Sequence, residues 1–278
     1  MTYRRRPSPL HAARAVVGAA WCLALVTAAL SLHHPVVLAA LLGAVVAAGA
    51  AALVPRPVLL GLALGVPFAL TIVVFNALAT REGLTVIYRL GGPWDVTLEA
   101  VVQGGVHGLT AIALVCVAAL YSAAVDPDDL LRAFRRLSFA SALTAALATR
   151  MVPVLLRDGR RLADAQRCRS GAPASRVALL RAVAGNSMDR ALDVAATLEV
   201  RGYGTARRAP ALRRPWSRHD LAFAASAAAL VAVAVAGRSL APFDAYPRVQ
   251  APLDGGVALV AVLLAVAVLA PFADRRGV

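Results

Sequence analysis

The chain contains no lysine: its 29 Lys+Arg positions are all arginine, set against 15 acidic residues. A P-loop needs a lysine to reach the terminal phosphates, and a Schiff-base mechanism needs one as nucleophile, so both chemistries are excluded. Cysteine is scarce as well. Cys22 and Cys116 fall in apolar runs and Cys168 in a basic stretch, a scatter that suits neither a disulfide framework nor a zinc spacing. Aromatic residues make up 5% of the chain and charged residues 16%. What remains is dominated by small and aliphatic side chains. Hydrophobic residues reach 60% and mean hydropathy is +0.71, which places the chain in the membrane class.

Six runs are apolar enough to cross a bilayer, at about 15–32, 36–54, 58–79, 100–124, 219–237 and 256–273. They are separated by His33-His34-Pro35, by Pro55-Arg56-Pro57, by the polar stretch Thr80 to Glu99, and by the loop Arg238 to Asp254. The expected fold is all-α: a polytopic membrane protein with about six transmembrane helices. Residues 1–125 supply four spans, 126–218 a cytoplasmic or interfacial region, and 219–278 a C-terminal hairpin. The N-terminal Arg4, Arg5 and Arg6 before an apolar run also suit a signal peptide, but a second apolar run follows at once, which reads as a retained anchor.

Arginine placement sets the expected orientation. Residues 126–218 hold 18 arginines against eight acids, a net of +10, and with Arg14, Arg56, Arg275 and Arg276 they fall on one side of six spans. Both termini are then expected in the cytoplasm, with the chain in the cell membrane. The same rule accounts for a pI near 11.3 without invoking nucleic acid.

The basic block carries the local signals. Asp126-Pro127-Asp128-Asp129 reads as a helix start, followed by an amphipathic turn with Leu130, Leu131, Phe134 and Leu137 at helical spacing. Residues 138–156 are mostly apolar and read as a helix buried shallowly or against the spans; from Arg157 the character turns polar. A second long helix is expected from about Ser175 to Arg201, with Val177, Leu180, Ala184, Met188, Ala191, Leu192, Ala195 and Leu198 on one face. Both helices end in an arginine with glycine close behind: Arg169 with Gly171 two places on, and Arg201 with Gly202 next. Singly, such an ending is an ordinary cap, with arginine near the negative dipole end and glycine in the left-handed turn.

Taken together, these endings resemble those of the T component of energy-coupling factor (ECF) transporters, the CbiQ-like transmembrane proteins. Leu198-Glu199-Val200-Arg201-Gly202-Tyr203 is similar to that family's second Ala-Arg-Gly motif, with Val200 in place of alanine. Arg167-Cys168-Arg169-Ser170-Gly171 is similar to the first, with Cys168 for alanine and the glycine one place late. Asp126-Pro127, Arg150-Met151-Val152-Pro153, and Ser187-Met188-Asp189-Arg190-Ala191 resemble supporting elements of the same coupling helices. The N-terminal Asp-Pro-Arg-type element of many members is Ser8-Pro9-Leu10-His11 here.

The resemblance implies a non-catalytic subunit of an ATP-driven importer for a vitamin or metal ion such as cobalt. It implies long cytoplasmic coupling helices between the fourth and fifth spans and no cofactor. Its implied partners are two ABC-type ATPases and a membrane-embedded substrate-binding S component. Cys168, Arg169, Ser170, Gly171, Val200, Arg201 and Gly202 would contact the ATPases. Asp126, Pro127, Arg150, Pro153, Ser187, Arg190, Glu199 and Tyr203 would support them.

Two other classes compete with it. An intramembrane enzyme would draw on His107, flanked by Gly104, Gly105 and Gly108, but no nucleophile, carboxylate or metal spacing accompanies it, and a helix–helix hydrogen bond is the plainer reading; Asn76 is similar. A stand-alone permease would need ionisable residues within the spans, and these are missing. His33-His34 reads as an interfacial loop.

Overall fold

A computed structural model describes residues 6–80, 83–88, 96–134, 139–168, 175–202 and 215–274. Helices account for nearly all of it: α1 (Pro9–Ala12), α2 (Ala15–Ser31), α3 (Pro35–Ala51), α4 (Pro55–Ala79), α5 (Leu98–Ala124), α6 (Pro127–Phe134), α7 (Phe139–Arg167), α8 (Arg176–Val200), α9 (Arg218–Leu240) and α10 (Gly255–Leu269). A two-stranded antiparallel ribbon, β1 (Val86–Tyr88) and β2 (Val96–Thr97), lies between α4 and α5. The chain divides into two compact units, residues 1–130 with 216–278, and residues 131–215.

Each of the six apolar runs is a helix. Among the described residues, four stretches are long and apolar enough to cross a membrane: Pro55–Ala79, Leu98–Ala124, Arg218–Leu240 and Gly255–Phe272. The other two, α2 and α3, are apolar helices of 17 residues, at the short end of the roughly 17–25 that a span requires. Proline punctuates the starts. Pro35 and Pro55 stand first in α3 and α4, where the missing N–H is one that no helical carbonyl would accept from.

The first unit is a bundle held by close backbone approach. On α4, Gly61 faces Ala119 and Cys116, and Gly65 faces Ile112. In return, Gly108 of α5 faces Ala69, and Gly104 faces Val73 and Asn76. Each helix thus contributes a small-xxx-small pair to one antiparallel seam, the arrangement that lets helices pack in lipid, where apolar burial alone gives no drive. The polar turn before α5 is also anchored: Glu99, 1% exposed, accepts from the Thr85 backbone N–H at 3.1 Å.

Aromatic rings fill the other side of the bundle. Trp21, Phe223 and Phe272 meet edge to face, with centroids 5.3–5.9 Å apart. Trp21 Nε1 donates to Ser226 Oγ at 2.9 Å, and Ser226 Oγ donates on to the Ala267 carbonyl at 2.6 Å. This relay ties α2, α9 and α10 together and satisfies the indole. At the start of α2, the Arg14 backbone N–H donates to Asp220 Oδ1 at 2.7 Å and the Arg14 side chain pairs with Oδ2 at 3.2 Å. Asp220 belongs to a capping box with Ser217 that opens α9.

His33 and His34 lie in the short connection between α2 and α3, as expected; His34 is the N-cap of α3, 0% exposed, with its ring edge-on to Phe243.

The seam gives a sharp test, because two adjacent glycines differ in surroundings. A methyl on Gly104 would stand 2.9 Å from the Val73 Cα, whereas one on Gly105 meets nothing within 4 Å. Gly104→Ala is expected to destabilise the detergent-solubilised protein by about 1–3 kcal/mol through overpacking. Gly105→Ala is expected to be neutral or to gain up to about 1 kcal/mol from helix propensity. Thermal unfolding of the two variants side by side measures the difference.

Candidate functional site

The second unit is built on α7 and α8. α7 runs unbroken from Phe139 to Arg167, with Pro153 inside it. The change of character at Arg157 therefore marks a change of surface and not the end of a helix. The Arg157 side chain turns back to donate to the Pro153 carbonyl at 3.4 Å. α8 opens on Ser175, whose hydroxyl accepts from the Ala178 N–H at 3.2 Å.

One ion pair stitches the two helices. Arg190 of α8 meets Asp158 of α7 at 3.3 Å, with side chains 44% and 19% exposed. Ser187, one turn earlier, is half-buried, and its hydroxyl donates to the Ala184 carbonyl at 2.7 Å. Sequence reasoning singled out Ser187 and Arg190 but missed Asp158. No local signal marks Asp158, because its importance comes from a partner 32 residues away.

The packed face of α8 is not the apolar one read from periodicity. Leu179, Val183, Ser187, Val194 and Leu198 are half-buried, while Ala184, Ala191 and Ala195 are exposed. On that same outward face Val177 is 65% exposed, Leu180 68%, Met188 73% and Leu192 70%.

At its far end α8 closes with an ordinary left-handed cap. Arg201 N–H donates to the Thr197 carbonyl at 3.2 Å and Gly202 N–H to Glu199 at 2.8 Å, and Gly202 has φ 73°. Glycine takes that conformation at no steric cost. Glu199 and Arg201 stand exposed, and Val200 is 89% exposed. At the end of α7, Cys168 is also exposed, with its N–H on the Asp164 carbonyl at 3.2 Å. Arg169, Ser170, Gly171 and Tyr203 lie outside the described residues. Arg150 is exposed on α7.

Asp126 and Pro127 begin α6 as expected: Asp126 Oδ1 accepts from the Asp128 N–H at 2.9 Å. Asp126 lines one small pocket with Leu10, His11, Arg14 and Asp129. The Ser8-Pro9-Leu10-His11 element is thus a helical turn beside the start of α6, closed by a 2.6 Å contact between Ser8 Oγ and His11 Nδ1.

The intramembrane polar residues meet at the α4–α5 seam, Asn76 from α4 and Gln103 from α5 on the two sides of His107. Asn76 Nδ2 lies 3.4 Å from His107 Nδ1, and Gln103 Nε2 lies 3.2 Å from His107 Nε2. Among the described residues no group of three or more His, Cys, Asp or Glu is suited to a metal ion.

Apolar helices packed through glycine, with an arginine-rich helix pair encoded between them, define a multi-pass, all-α membrane protein. The chain belongs to the CbiQ cobalt transport protein family, which it matches over residues 6–212. That stretch takes in α1 to α8. Comparison with curated proteins gives no match.

The Asp158–Arg190 pair is tested by charge exchange. Arg190→Asp alone sets two carboxylates together and is expected to cost about 1 kcal/mol or more, given the partly buried site. Asp158→Arg combined with Arg190→Asp is expected to restore most of that loss. A double-mutant cycle read by hydrogen exchange in α7 and α8 checks it; additivity of the two single changes would show that the pair carries no coupling.

Proposed function

We propose that this membrane transport protein is the T component of an ECF-type ABC importer, coupling ATP hydrolysis on partner subunits to substrate release by a separate S component. The observation that carries this reading is the state of α8. Its tip presents Val200 and Arg201 to solvent, and its apolar face is left open over four turns, although the helix is capped and pinned to α7. A cationic tip suits carboxylates of a protein partner, since the guanidinium fork makes bidentate contacts. An uncovered apolar stripe suits a second docking surface.

In this reading the ends of α7 and α8 face the cytoplasm, as do both termini. Two ABC-type ATPases grip those ends. Their closure on ATP shifts the helix pair, and the motion reorients the S component so that its vitamin or metal ion is released inside. Arg169, Ser170 and Gly171 complete the α7 end, and Tyr203 the α8 end. Arg150 and Pro153 support α7, and Asp126 and Pro127 set the start of α6. The chain itself performs no chemistry; substrate choice rests with the S component. The enzyme reading gains nothing from His107, whose two ring nitrogens face the amides of Asn76 and Gln103 and, among the described residues, no nucleophile or carboxylate.

Arg201→Glu separates the possibilities. Removing one partner of a desolvated charge pair costs about 2–5 kcal/mol, so ATPase subunits are expected to be lost from a tagged-chain purification by more than tenfold, and uptake with them. The variant should still fold, because Arg201 is exposed at a cap whose bonds are made by the backbone. Retained ATPases with full uptake would exclude the coupling role.

A further inference from the structure

The chain passes between the two compact units twice. It leaves the first unit within α6, after Leu130, and re-enters it at Trp216. Arg14, just ahead of α2, stands beside the first-unit side of both crossings.

At the return crossing its contacts are close. The Arg14 backbone N–H donates to Asp220 Oδ1 at 2.7 Å, and its Nε lies 3.2 Å from Oδ2. The guanidinium carbon lies over the Trp216 ring, 5.4 Å from the centroid. Asp220 Oδ2 also accepts from the Ser217 N–H at 2.9 Å, so Arg14 and the capping box that opens α9 share one carboxylate. The Asp220 side chain is 1% exposed and that of Arg14 27%, and a pair so sheltered is screened less than one on the surface.

At the outgoing crossing Arg14 lines a small pocket with Leu10, His11, Asp126 and Asp129. Asp126 opens α6, accepting from the Asp128 N–H at 2.9 Å. The start of α2 packs tightly here: a methyl on Gly18 would meet Val125 at 3.5 Å and Leu10 at 3.6 Å. One guanidinium therefore stands between carboxylates that begin α6 and the carboxylate that begins α9. Its planar fork can stack on a ring and still donate in more than one direction. Topology alone would be served as well by an arginine standing free in water.

We propose that Arg14 is a positioning residue for coupling. It ties the start of α6 to the start of α9, so that the two points where the second unit is attached move as one and a shift of α7 and α8 is passed to the bundle. This rests on the coupling reading, which supplies the shift.

The test uses the transporter purified with its ATPases in lipid nanodiscs, as wild type, Arg14→Gln and Arg14→Lys, read by hydrogen exchange. The glutamine variant should fold, because the backbone N–H groups of residue 14 and Ser217 still donate to Asp220; unchanged exchange in α10 checks this. Without nucleotide, exchange at both 126–130 and 216–220 is expected to rise about five- to thirtyfold in Arg14→Gln, the population shift that one modest interaction controls. Lysine should recover part of it. With ATP and orthovanadate, α7 and α8 should respond in wild type and Arg14→Gln alike, whereas the response in the first turns of α2 and α9 should be lost in the variant. A rise at one crossing only, a rise shared by α10, or a full response of α2 and α9 in Arg14→Gln would overturn the proposal alone. A wild-type preparation without ATPases, or one whose α7 and α8 ignore ATP and vanadate, would overturn the coupling reading and the proposal with it.

Discussion

Lipid tails are as apolar as leucine, so burying leucine between helices gains little, and the bundle must be held by how closely its backbones approach. That constraint explains where the glycines lie. Gly61 and Gly65 of α4 sit against Ala119 and Ile112 of α5, Gly104 and Gly108 of α5 against Val73 and Ala69 of α4, Gly49 accommodates Val58, and Gly237 of α9 sits against Leu32 and Val260. The same constraint gives the few polar bonds their weight. The Trp21–Ser226–Ala267 relay and the Arg14–Asp220 pair fix register between helices whose apolar surfaces would tolerate several.

The second unit answers to different physics. It is rich in arginine, and α7 and α8 are joined by a narrow strip of half-buried side chains and the Asp158–Arg190 ion pair. Val177, Leu180, Met188 and Leu192 are left largely uncovered. Each such side chain forgoes roughly 1.5–3 kcal/mol that full burial would supply. In the proposed coupling role, a helix that stands capped and pinned while leaving that stabilisation unused would offer this face to a surface outside itself. The apolar face of α8 therefore argues for partners more strongly than its charge does, because charge alone is explained by membrane topology.

The same contrast decides what could be read from the sequence. The six apolar helices, the proline-marked starts and the caps at Ser175 and Gly202 were all legible, since each depends on residues within one turn. Which face of a span turns inward was not. In water the polar side reveals the outer face, but in lipid both faces are apolar: Leu25 is 0% exposed and Leu23 62% exposed within one helix. The burial of His34 was not legible for a related reason, because Phe243, the ring edge-on to it, is more than 200 residues away. Asn76 and His107 each stood out alone, yet their pairing depends on the glycine seam that sets the register of α4 against α5.

The end of α8 separates the parts of a motif that sequence presents as a unit. Gly202 has a sufficient local cause: a positive φ of 73° closes the helix, and that requirement would hold with no partner present. Arg201 has no comparable cause. The cap is made by its backbone N–H, and its side chain stands exposed with no ion pair among the described residues. Arginine at a helix end gains about 0.3–1 kcal/mol from the dipole when exposed, which any cation would supply equally. Val200, 89% exposed, is costlier in water than the alanine it replaces in the related motif. In the proposed coupling role, recognition at this tip would rest on Val200 and Arg201, while Gly202 sets the direction in which the turn presents them.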